Sequence, residues 1–574
     1  MGGCIDRANP ARIERILYRA RWVVPVVGEP ISDGAVLADG RCVVRCTRYT
    51  PDLAVGSDRV IDLGDVAIFP APINTHTHLD LSGFSTPVGE LGTPLHEWIP
   101  QLLAARRAGG ENDDENDGGA IVRGFAELCG SRAAAMADFT RSESDARRLE
   151  AAANSGFVEP VYGWTLRELI APTTERLAVA IGDAETFLSG GISEVQGGGK
   201  TSLLRRGLAP HASYTVPLPS LQAIVSVAVR YGVPVAMHVA ESMAESEFLA
   251  TGGGPLRTMM ERLGVDDFSA FPRDVRFGVL LQELRRAPQS LVVHGNFLDA
   301  DDLAMLAENR DRMAIVHCPR SFRHFGHDPA IVAAMCCSGA RVVLGTDGRS
   351  SAPSLNMFSE IAELLRVVPS VSPDVALRMA TLDAAIALGI DDRCGSLAPG
   401  HDARWAAIPV TGNDPYVALY ENSSSAEDAS VTEKAGRQLA SVGGAWSNDS
   451  VNGHGAVDFR LRRENRIRRG GDFARAYQRR CSAGNGVLLI FAAGNGTGRP
   501  RLGLSVSRKV GGAVVRNRWK RLIREAFRLE RHRLPAGLDL VCIPRRDVRP
   551  TLESLRHSIV TLARRLERKI RKTE

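Results

Sequence analysis

The sequence predicts a multidomain chain: a (β/α)8 barrel with a small β-sandwich, then a linker, then a small α+β domain. Three observations carry this. Between about residues 74 and 389, short β-rich runs alternate with helical segments, as in "GVPVAMHVAES", "SLVVHGNF", "DRMAIVHCP" and "ARVVLGTDG". Repeated strand–helix alternation makes a parallel α/β fold, and roughly eight such units close a barrel. The charge is also split. Residues 455–574 carry 31 Lys and Arg against 10 Asp and Glu, net +21, which leaves 40 against 56, net −16, on the remainder. Two modules with different partners follow, the basic one facing a polyanion. Between them, "ENSSSAEDASVTEKAGRQLASVGGAWSNDSVNGHG" has neither helical nor strand period and reads as a linker.

In chain order, the start "MGGCIDRANPARIER" lacks the apolar run of a signal peptide, and Asp6 breaks the myristoylation pattern. Residues 15–70 are short apolar runs broken by Gly, Pro and Asp, hence strands, and "GSLAPGHDARWAAIPV" returns strands to them after the barrel. The expected borders are 1–73 for the sandwich (completed by about 390–420), 74–389 for the barrel, 421–456 for the linker and 457–574 for the last domain. In that domain, "DFARAYQR" spaces Phe473 and Tyr477 as a helical pair. "VLLIFAA" and "RLGLSVS" are strands joined by "GNGTGRP"; the second alternates Leu502, Leu504 and Val506 with Arg501, Gly503 and Ser505, so one face is expected to be wet. A helix from about Ala513, the strand "LDLVCI" and a helix striped by Leu552, Leu555, Ile559, Leu562 and Leu566 complete it. No run approaches 18 apolar residues, so no membrane span is expected. Ten cysteines without a CxxC pair suit reduced thiols, and the expected location is the cytoplasm.

The chemistry begins at "NTHTHLDLSG". His76 and His78 are two apart on a strand, so both imidazoles point to one side. "MHVAES" puts His238 at a strand end with Glu241 three residues on, "VVHGN" does the same for His294, and "VVLGTDG" ends the last strand with Asp347. The C-terminal ends of barrel strands converge on one mouth, where barrel chemistry sits. Three His and a carboxylate suit one divalent metal, Zn or Fe, with a position left for water. His317, His324 and His327 are read as pocket lining or surface, not ligands. "GGGKTS" fails as a phosphate loop because Val195 stands where that motif needs Gly.

Together these residues resemble the amidohydrolase superfamily, in the cytosine deaminase/chlorohydrolase-like branch that includes the triazine hydrolases, over about residues 15–420. The resemblance implies metal ligation by His76, His78, His238 and Asp347, proton shuttling by Glu241, and orientation of the attacking water or the substrate by His294. "APHASYTV" resembles the family's substrate-binding stretch and nominates His211. The implied reaction is deamination or dechlorination of a small heterocyclic substrate. It is coherent chemically: a bound metal lowers the pKa of water towards about 7, Asp347 can accept a proton, and Glu241 can protonate the ring nitrogen and then the leaving group. Three departures from the family pattern touch the substrate side: "FPAPINTHTH" lacks the usual Gly, Phe322 replaces an Asn after "HCPRS", and Gly348 follows Asp347 in place of Ser.

On a helical wheel, Val515, Trp519, Leu522, Ile523, Ala526 and Phe527 share one side of residues 515–528, and Asn517, Lys520, Arg521, Arg524 and Arg528 the other. The apolar side, Trp519 included, is core; the basic side suits phosphates, and Arg dominates it, as bidentate contacts prefer. "RLGLSVSRKVGGAVVRNRWKRLIREAFR" resembles the signature of the bacterial ribonuclease P protein component, as do "LRRENRIRRGGDFARAY" and "GLDLVCIPRRDV" around it. That resemblance implies an α+β fold whose surface bearing Arg508, Lys509, Arg516, Asn517, Arg518, Lys520, Arg521 and Arg524 binds the catalytic RNA. A cleft near Phe473 and Tyr477 is implied for the 5′ leader of precursor tRNA, with Mg²⁺ acting in the RNA. No physical argument links the two chemistries, so the chain reads as a bifunctional fusion. The alternative is an inactive metal-binding barrel fused to a generic RNA-binding module.

Overall fold

A computed structural model of the chain describes residues 14–108, 114–154, 161–190, 203–420, 467, 470–479, 481–496, 499–507, 510, 513–531, 534–535, 537–545 and 552–571. The chain divides into two compact units, Met1–Ser447 and Asn448–Glu574. The expected linker, the "GGGKTS" loop, Arg508 and Lys509 lie outside the described residues.

Near the N-terminus, β1 (Arg15–Val23) pairs antiparallel with β2 (Ile31–Asp39), and β2 with β3 (Cys42–Arg48). On its other edge β1 takes both β4 (Arg59–Asp62) and β5 (Val66–Pro70) in parallel. The returning strand begins 335 residues after the end of β5 (405 − 70), yet lands on β5, antiparallel, at Trp405–Pro409. Ile16, Tyr18, Val36, Ile61, Ile68 and Ala407 bury their side chains together and hold this sheet.

The barrel strands are parallel and run in order from β6 (Ile73–His78) through β7 (Ala135–Thr140), β8 (Tyr162–Leu169), β9 (Leu204–Pro210), β10 (Val235–Val239), β11 (Ser290–His294) and β12 (Met313–His317) to β13 (Val342–Leu344) and β14 (Asp347–Gly348). β13 pairs β12 while β14 pairs β6, so the eighth strand is made in two pieces and closes the ring. The break falls at Gly345, where a Cβ would sit 2.8 Å from the His76 Cβ and 2.9 Å from its backbone; only glycine lets the closing strand pass that histidine. β7, β10, β11 and β12 are buried along their whole length, as strands covered by helices on a parallel barrel must be. The returning strand Trp405–Pro409, β15, follows the barrel in the chain.

In the second unit β16 (Ser482–Gly484), β17 (Leu488–Gly494), β18 (Arg501–Leu504) and β19 (Leu538–Pro544) form a sheet of order β16-β17-β19-β18. β17 and β18 are joined by the predicted turn but do not pair; β19 inserts between them, antiparallel to β17 and parallel to β18. The helices Ala513–Glu530 and Leu552–Arg571 press Trp519, Ile523, Phe527, Leu555, Ile559 and Leu566 onto one face. The other face is not wet as expected. The helix Gly470–Gln478 covers it, and Gly503 lies so close beneath Phe473 and Ile467 that a Cβ would meet them at 2.9 and 3.0 Å. Alternation along β18 reported one core correctly and could not report a second layer above it.

Candidate active site and nucleic-acid interface

The mouth of the barrel gathers the predicted set. His76 and His78 leave β6 on one side, His238 and His294 come from the ends of β10 and β11, and Asp347 opens β14. Asp347 Oδ1 lies 3.5 Å from His76 Nε2 and 3.7 Å from His78 Nε2, and His78 Nε2 lies 3.4 Å from His238 Nε2. Two groups, His76/His78/Asp347 and His76/His238/His294, each bring their donor atoms within 4.8 Å of one another. His76 is fully buried, and neither of its ring nitrogens has a hydrogen-bond partner among the described residues. Leaving buried donors or acceptors unmatched costs about 1–3 kcal/mol each, so the convergence is explained if a cation sits there; the residues present fit a divalent metal.

Protonation agrees. Burial lowers the pKa of His76, drives His238 well below the usual range, and takes His294 down to about 3. Neutral imidazoles are what ligation requires. His238 Nδ1 lies 2.9 Å from the His211 carbonyl oxygen, which can only accept; Nδ1 therefore carries the proton and Nε2 presents its lone pair to the cluster. For Asp347, burial works against ionisation, but His76 Nε2 at 3.5 Å and the neighbouring imidazoles outweigh it and hold the carboxyl well below the usual range. Ser321 Oγ and Ser351 Oγ each donate to Oδ2 at 2.8 Å, and the Gly348 N–H donates to Oδ1 at 2.8 Å.

Glu241 stands opposite, its Oε1 3.6 Å from His294 Nε2. Burial first, then the carboxylates of Asp347 and Glu245, push its pKa well above the usual value and favour its acid form. The corner that presents it is strained at Ala240, with φ of 56°, and His294 and Asp347 on their own strands take φ of 70° and 57°, a left-handed region costly for non-glycine residues. Glu245, fully buried, holds that corner by accepting the Glu241 N–H at 2.9 Å and the Ser213 hydroxyl at 2.6 Å, while Asn296 Nδ2 donates to the Glu241 carbonyl at 3.2 Å. His211, just past β9, bonds Thr215 through Nδ1 at 2.7 Å and faces the His238 ring at 5.3 Å. These groups open onto a cavity of about 340 Å³.

Sequence reasoning missed Glu245, Ser213, Ser321 and Ser351. Ser321 stood in the quoted "HCPRS", and Glu245 follows Glu241 by four residues, but Asp347, the partner of Ser321, and Ser213, the partner of Glu245, arrive by tertiary approach. The departures have steric accounts. A Cβ at Gly348 would lie 2.8 Å from Leu81 Cδ1, so a serine there would have to displace that side chain; the hydroxyl of Ser351 reaches Asp347 Oδ2 at 2.8 Å. Phe322 packs between His317 and His327, at 5.2 and 5.1 Å. His324 Nε2 bonds the Val88 carbonyl at 2.9 Å. None of these three histidines joins the donor groups at the mouth.

In the second unit the helix Ala513–Glu530 buries Trp519, Ile523, Ala526 and Phe527 and carries Arg524 exposed, with Arg516 and Lys520 half-buried. Asn517, Arg518 and Arg521 lie on this helix, with side chains outside the described residues. Phe473 and Tyr477 are half-buried in an apolar cluster with Ile467, Ala476, Ala493 and Val541, and Tyr477 meets Phe491 edge-on at 5.1 Å. Beside them the buried Asp539 takes Arg501 through Nε and Nη2 at 2.7 Å each, and Arg475 Nη2 at 3.0 Å. This fork ties the first helix to the sheet edge.

Comparison with known proteins follows this division. Residues 67–434 match the Amidohydrolase family, and residues 461–567 match Ribonuclease P. A 5-methylthioadenosine/S-adenosylhomocysteine deaminase of Moorella thermoacetica is 27% identical over 402 residues, covering 68% of this chain and 84% of that one. A crystal structure of Helicobacter pylori aminofutalosine deaminase in complex with methylthio-coformycin superposes with a TM-score of 0.59 at 20% identity, over 71% of this chain and 95% of that one. An adenosine deaminase from Xanthomonas campestris with bound zinc gives 0.53 at 22%, over 71% and 88%. At these identities the solved structures speak to the fold.

Proposed function

The chain belongs to the amidohydrolase family through residues 67–434, and from that premise we propose that the barrel deaminates an adenine-type nucleoside. The observation that carries this is the pairing of Glu241, whose acid form burial favours, with His294, opposite Asp347, whose anion its neighbours favour, across one ring of imidazoles. The deaminase relative favours an amino leaving group over chloride. The family is metal-dependent, and His76, His78, His238 and Asp347 are the residues that would hold the cation, Zn or Fe by donor type. When bound, it supplies Lewis acidity and lowers the pKa of water to about 7.

The chain's own residues do the rest. Asp347, its Oδ2 held by two serine hydroxyls, takes a proton from the attacking water through Oδ1. The water oxygen bonds to the ring carbon that bears the amino group. Glu241 gives its proton to the adjacent ring nitrogen, which receives the electron pair of the broken C=N bond. The proton held by Asp347 passes to the amino group; as the C–N bond breaks and ammonia leaves with its electron pair, the remaining hydroxyl proton passes to the Glu241 carboxylate, which restores the acid, and the carbon becomes a carbonyl. His294 orients the water or the ring, and His211 contacts the substrate. The test is ammonia release from adenosine and 5′-methylthioadenosine by the zinc-supplied chain, with chloride release from a chlorotriazine run beside it. Chloride instead of ammonia moves the activity to dechlorination. Full metal content with neither product marks an inactive barrel.

For the second unit we infer a protein subunit that assists ribonuclease P RNA in removing the 5′ leader of precursor tRNA, the RNA using Mg²⁺ for the cleavage. The match over residues 461–567 and the basic side of the helix Ala513–Glu530 support it. The proposed borders are those expected from the sequence: sandwich 1–73 with 390–420, barrel 74–389, linker 421–456 and last domain 457–574. The test is precursor tRNA cleavage by the bacterial RNA subunit at limiting Mg²⁺. Added chain should restore cleavage; no gain over RNA alone would leave a generic RNA-binding module.

A further inference from the structure

The two oxygens of Asp347 have unlike surroundings. Oδ1 faces the imidazoles, 3.5 Å from His76 Nε2 and 3.7 Å from His78 Nε2. Oδ2 accepts the hydroxyls of Ser321 and Ser351, each at 2.8 Å. Ser351 follows Asp347 by four residues and is placed by the same stretch of chain. Ser321 belongs to a separate element, the six-residue helix Pro319–His324, so its reach to Oδ2 depends on where that helix is held.

The residue next to Ser321 holds it. Arg320 is 7% exposed, and its partner Glu360, on the helix Met357–Val367, is fully buried. Glu360 Oε1 accepts Arg320 Nε at 2.7 Å, and Oε2 accepts the Arg320 backbone N–H at 2.9 Å. Cys318, the residue before the short helix, makes no side-chain cap, so Glu360 meets a first-turn N–H that has no partner within the helix. Arg320 Nη1 donates to Ser354 Oγ at 2.9 Å, and Nη2 donates to the Ser354 carbonyl. Ser354 is three residues past Ser351. The bonds therefore close a circuit, from Asp347 through Ser321 and Arg320 to Ser354, and back along the chain through Ser351. One turn further out, Arg323 Nη1 lies 3.4 Å from Glu363 Oε2. That pair joins the same two helices but stands outside the circuit, with the Arg323 side chain half exposed.

Stability alone does not call for Arg320 and Glu360. Burying two charges costs desolvation, and apolar side chains of similar volume often serve a core as well or better. An apolar contact, however, leaves a short helix free to slide or turn by a fraction of an ångström. A planar guanidinium forked between a carboxylate, a hydroxyl and a carbonyl does not. We propose that Arg320 and Glu360 are positioning residues for Asp347: by fixing Ser321 they keep Oδ2 occupied and present Oδ1 alone to the cation and the attacking water. The inference rests on the metal-dependent reading of the barrel mouth and is independent of which substrate is used.

The experiment uses the full chain loaded with Co²⁺, whose visible spectrum reports ligand number and geometry, whereas the filled d shell of zinc reports nothing. Ser321→Ala, the apolar pair Arg320→Met with Glu360→Leu, and Arg323→Ala are compared with the native chain. Melting temperature, Co²⁺ affinity against a competing chelator, the spectrum and ammonia release are measured on each. The apolar pair should melt close to the native temperature. Its Co²⁺ affinity should nevertheless fall by about 10–100-fold, the usual cost of disturbing a group behind a ligand. Its spectrum should shift, and kcat should drop by a similar factor with KM nearly unchanged. Ser321→Ala should show the same spectral shift, and adding it to the apolar pair should cost little more, since both break one circuit. Arg323→Ala should match the native chain throughout. A native spectrum and affinity in Ser321→Ala or in the folded apolar pair overturn the proposal. So do losses that add fully in the triple variant, or equal losses in Arg323→Ala, which would reduce the circuit to general helix docking. If the apolar pair does not fold, the spectrum of Ser321→Ala decides alone. A native chain that binds Co²⁺ but releases no ammonia ends the deaminase reading and leaves the spectral comparison to decide the positioning; one that binds no Co²⁺ overturns the metal reading and the proposal together.

Discussion

Glu241 and Asp347 are both buried carboxylates on one cavity, and their surroundings push them apart. Glu241 faces burial and like charges, so its neutral form is favoured; Asp347 has serine hydroxyls, an amide and imidazoles around it, so its anion is. Opposed environments of this kind divide acid from base. Glu241→Gln should lower kcat by about 10²–10⁴-fold, the typical contribution of a positioned acid, while elemental analysis shows unchanged metal. Asp347→Asn should remove both activity and metal, since it deletes a ligand charge and the base together. The sign of the pH dependence follows from the acid. Because folding raises the Glu241 pKa, the proton is held below that value and lost above it, so kcat should decline on the alkaline side through Glu241. A profile that keeps this decline in Glu241→Gln would assign it to another group.

Elements explain how those residues are held and why only some of them were legible. His76, His78, His238, His294, Glu241 and Asp347 could be found because a strand's side-chain alternation and the shared orientation of parallel strands are local rules that read directly from spacing. The wheel of the helix Ala513–Glu530 was legible for the same reason, and Trp519 sits in the core as its position implied. Glu245 was not legible, because its bond to the Glu241 amide, four residues away, depends on the corner at Ala240, and its other partner is a serine from the distant β9–helix turn. Nor was the second layer over Gly503, since one strand's alternation cannot say whether an outward face meets water or a helix. Glu245 gives the prediction at this scale. It grips the strained corner at Ala240, so Glu245→Ala should misplace Glu241 and lower kcat by about 10²-fold, the cost of roughly an ångström of misplacement, with KM nearly unchanged. Glu245→Gln, which keeps an acceptor for one of the two donors, should recover part of it. Equal losses in kcat and in melting temperature for both variants would reduce Glu245 to general support.

At the scale of the whole molecule, the charge split seen in the sequence coincides with two units that have separate cores, one around the barrel and one around Trp519 and the helix Leu552–Arg571. Separate cores imply separate stabilities. Trp519→Ala should cost about 3–5 kcal/mol, enough to unfold a small unit of marginal stability. Differential scanning calorimetry of the full chain should therefore lose one transition and keep the other, and ammonia release by the barrel should survive. The basic surface then carries the last prediction. Lys520 and Arg524 lie on the side of the helix Ala513–Glu530 opposite its buried residues, and neither forms an ion pair with an acidic side chain among the described residues. If both neutralise phosphates of a folded RNA, replacing the pair by Ala removes two counterion-releasing contacts. The slope of log K against log salt should flatten by roughly 1.5, at about 0.7–0.9 per contact, and affinity should fall most at low salt. Phe473→Ala should act differently, because its ring is packed on Gly503 and joined to the first helix. It should loosen the helix Gly470–Gln478 and leave the salt slope alone, since no charge is removed. If instead it weakens precursor tRNA more than mature tRNA at unchanged unit stability, Phe473 contacts the leader directly; a changed slope in Phe473→Ala, or an unchanged one in the Lys520/Arg524 pair, would move the RNA-binding surface off this helix.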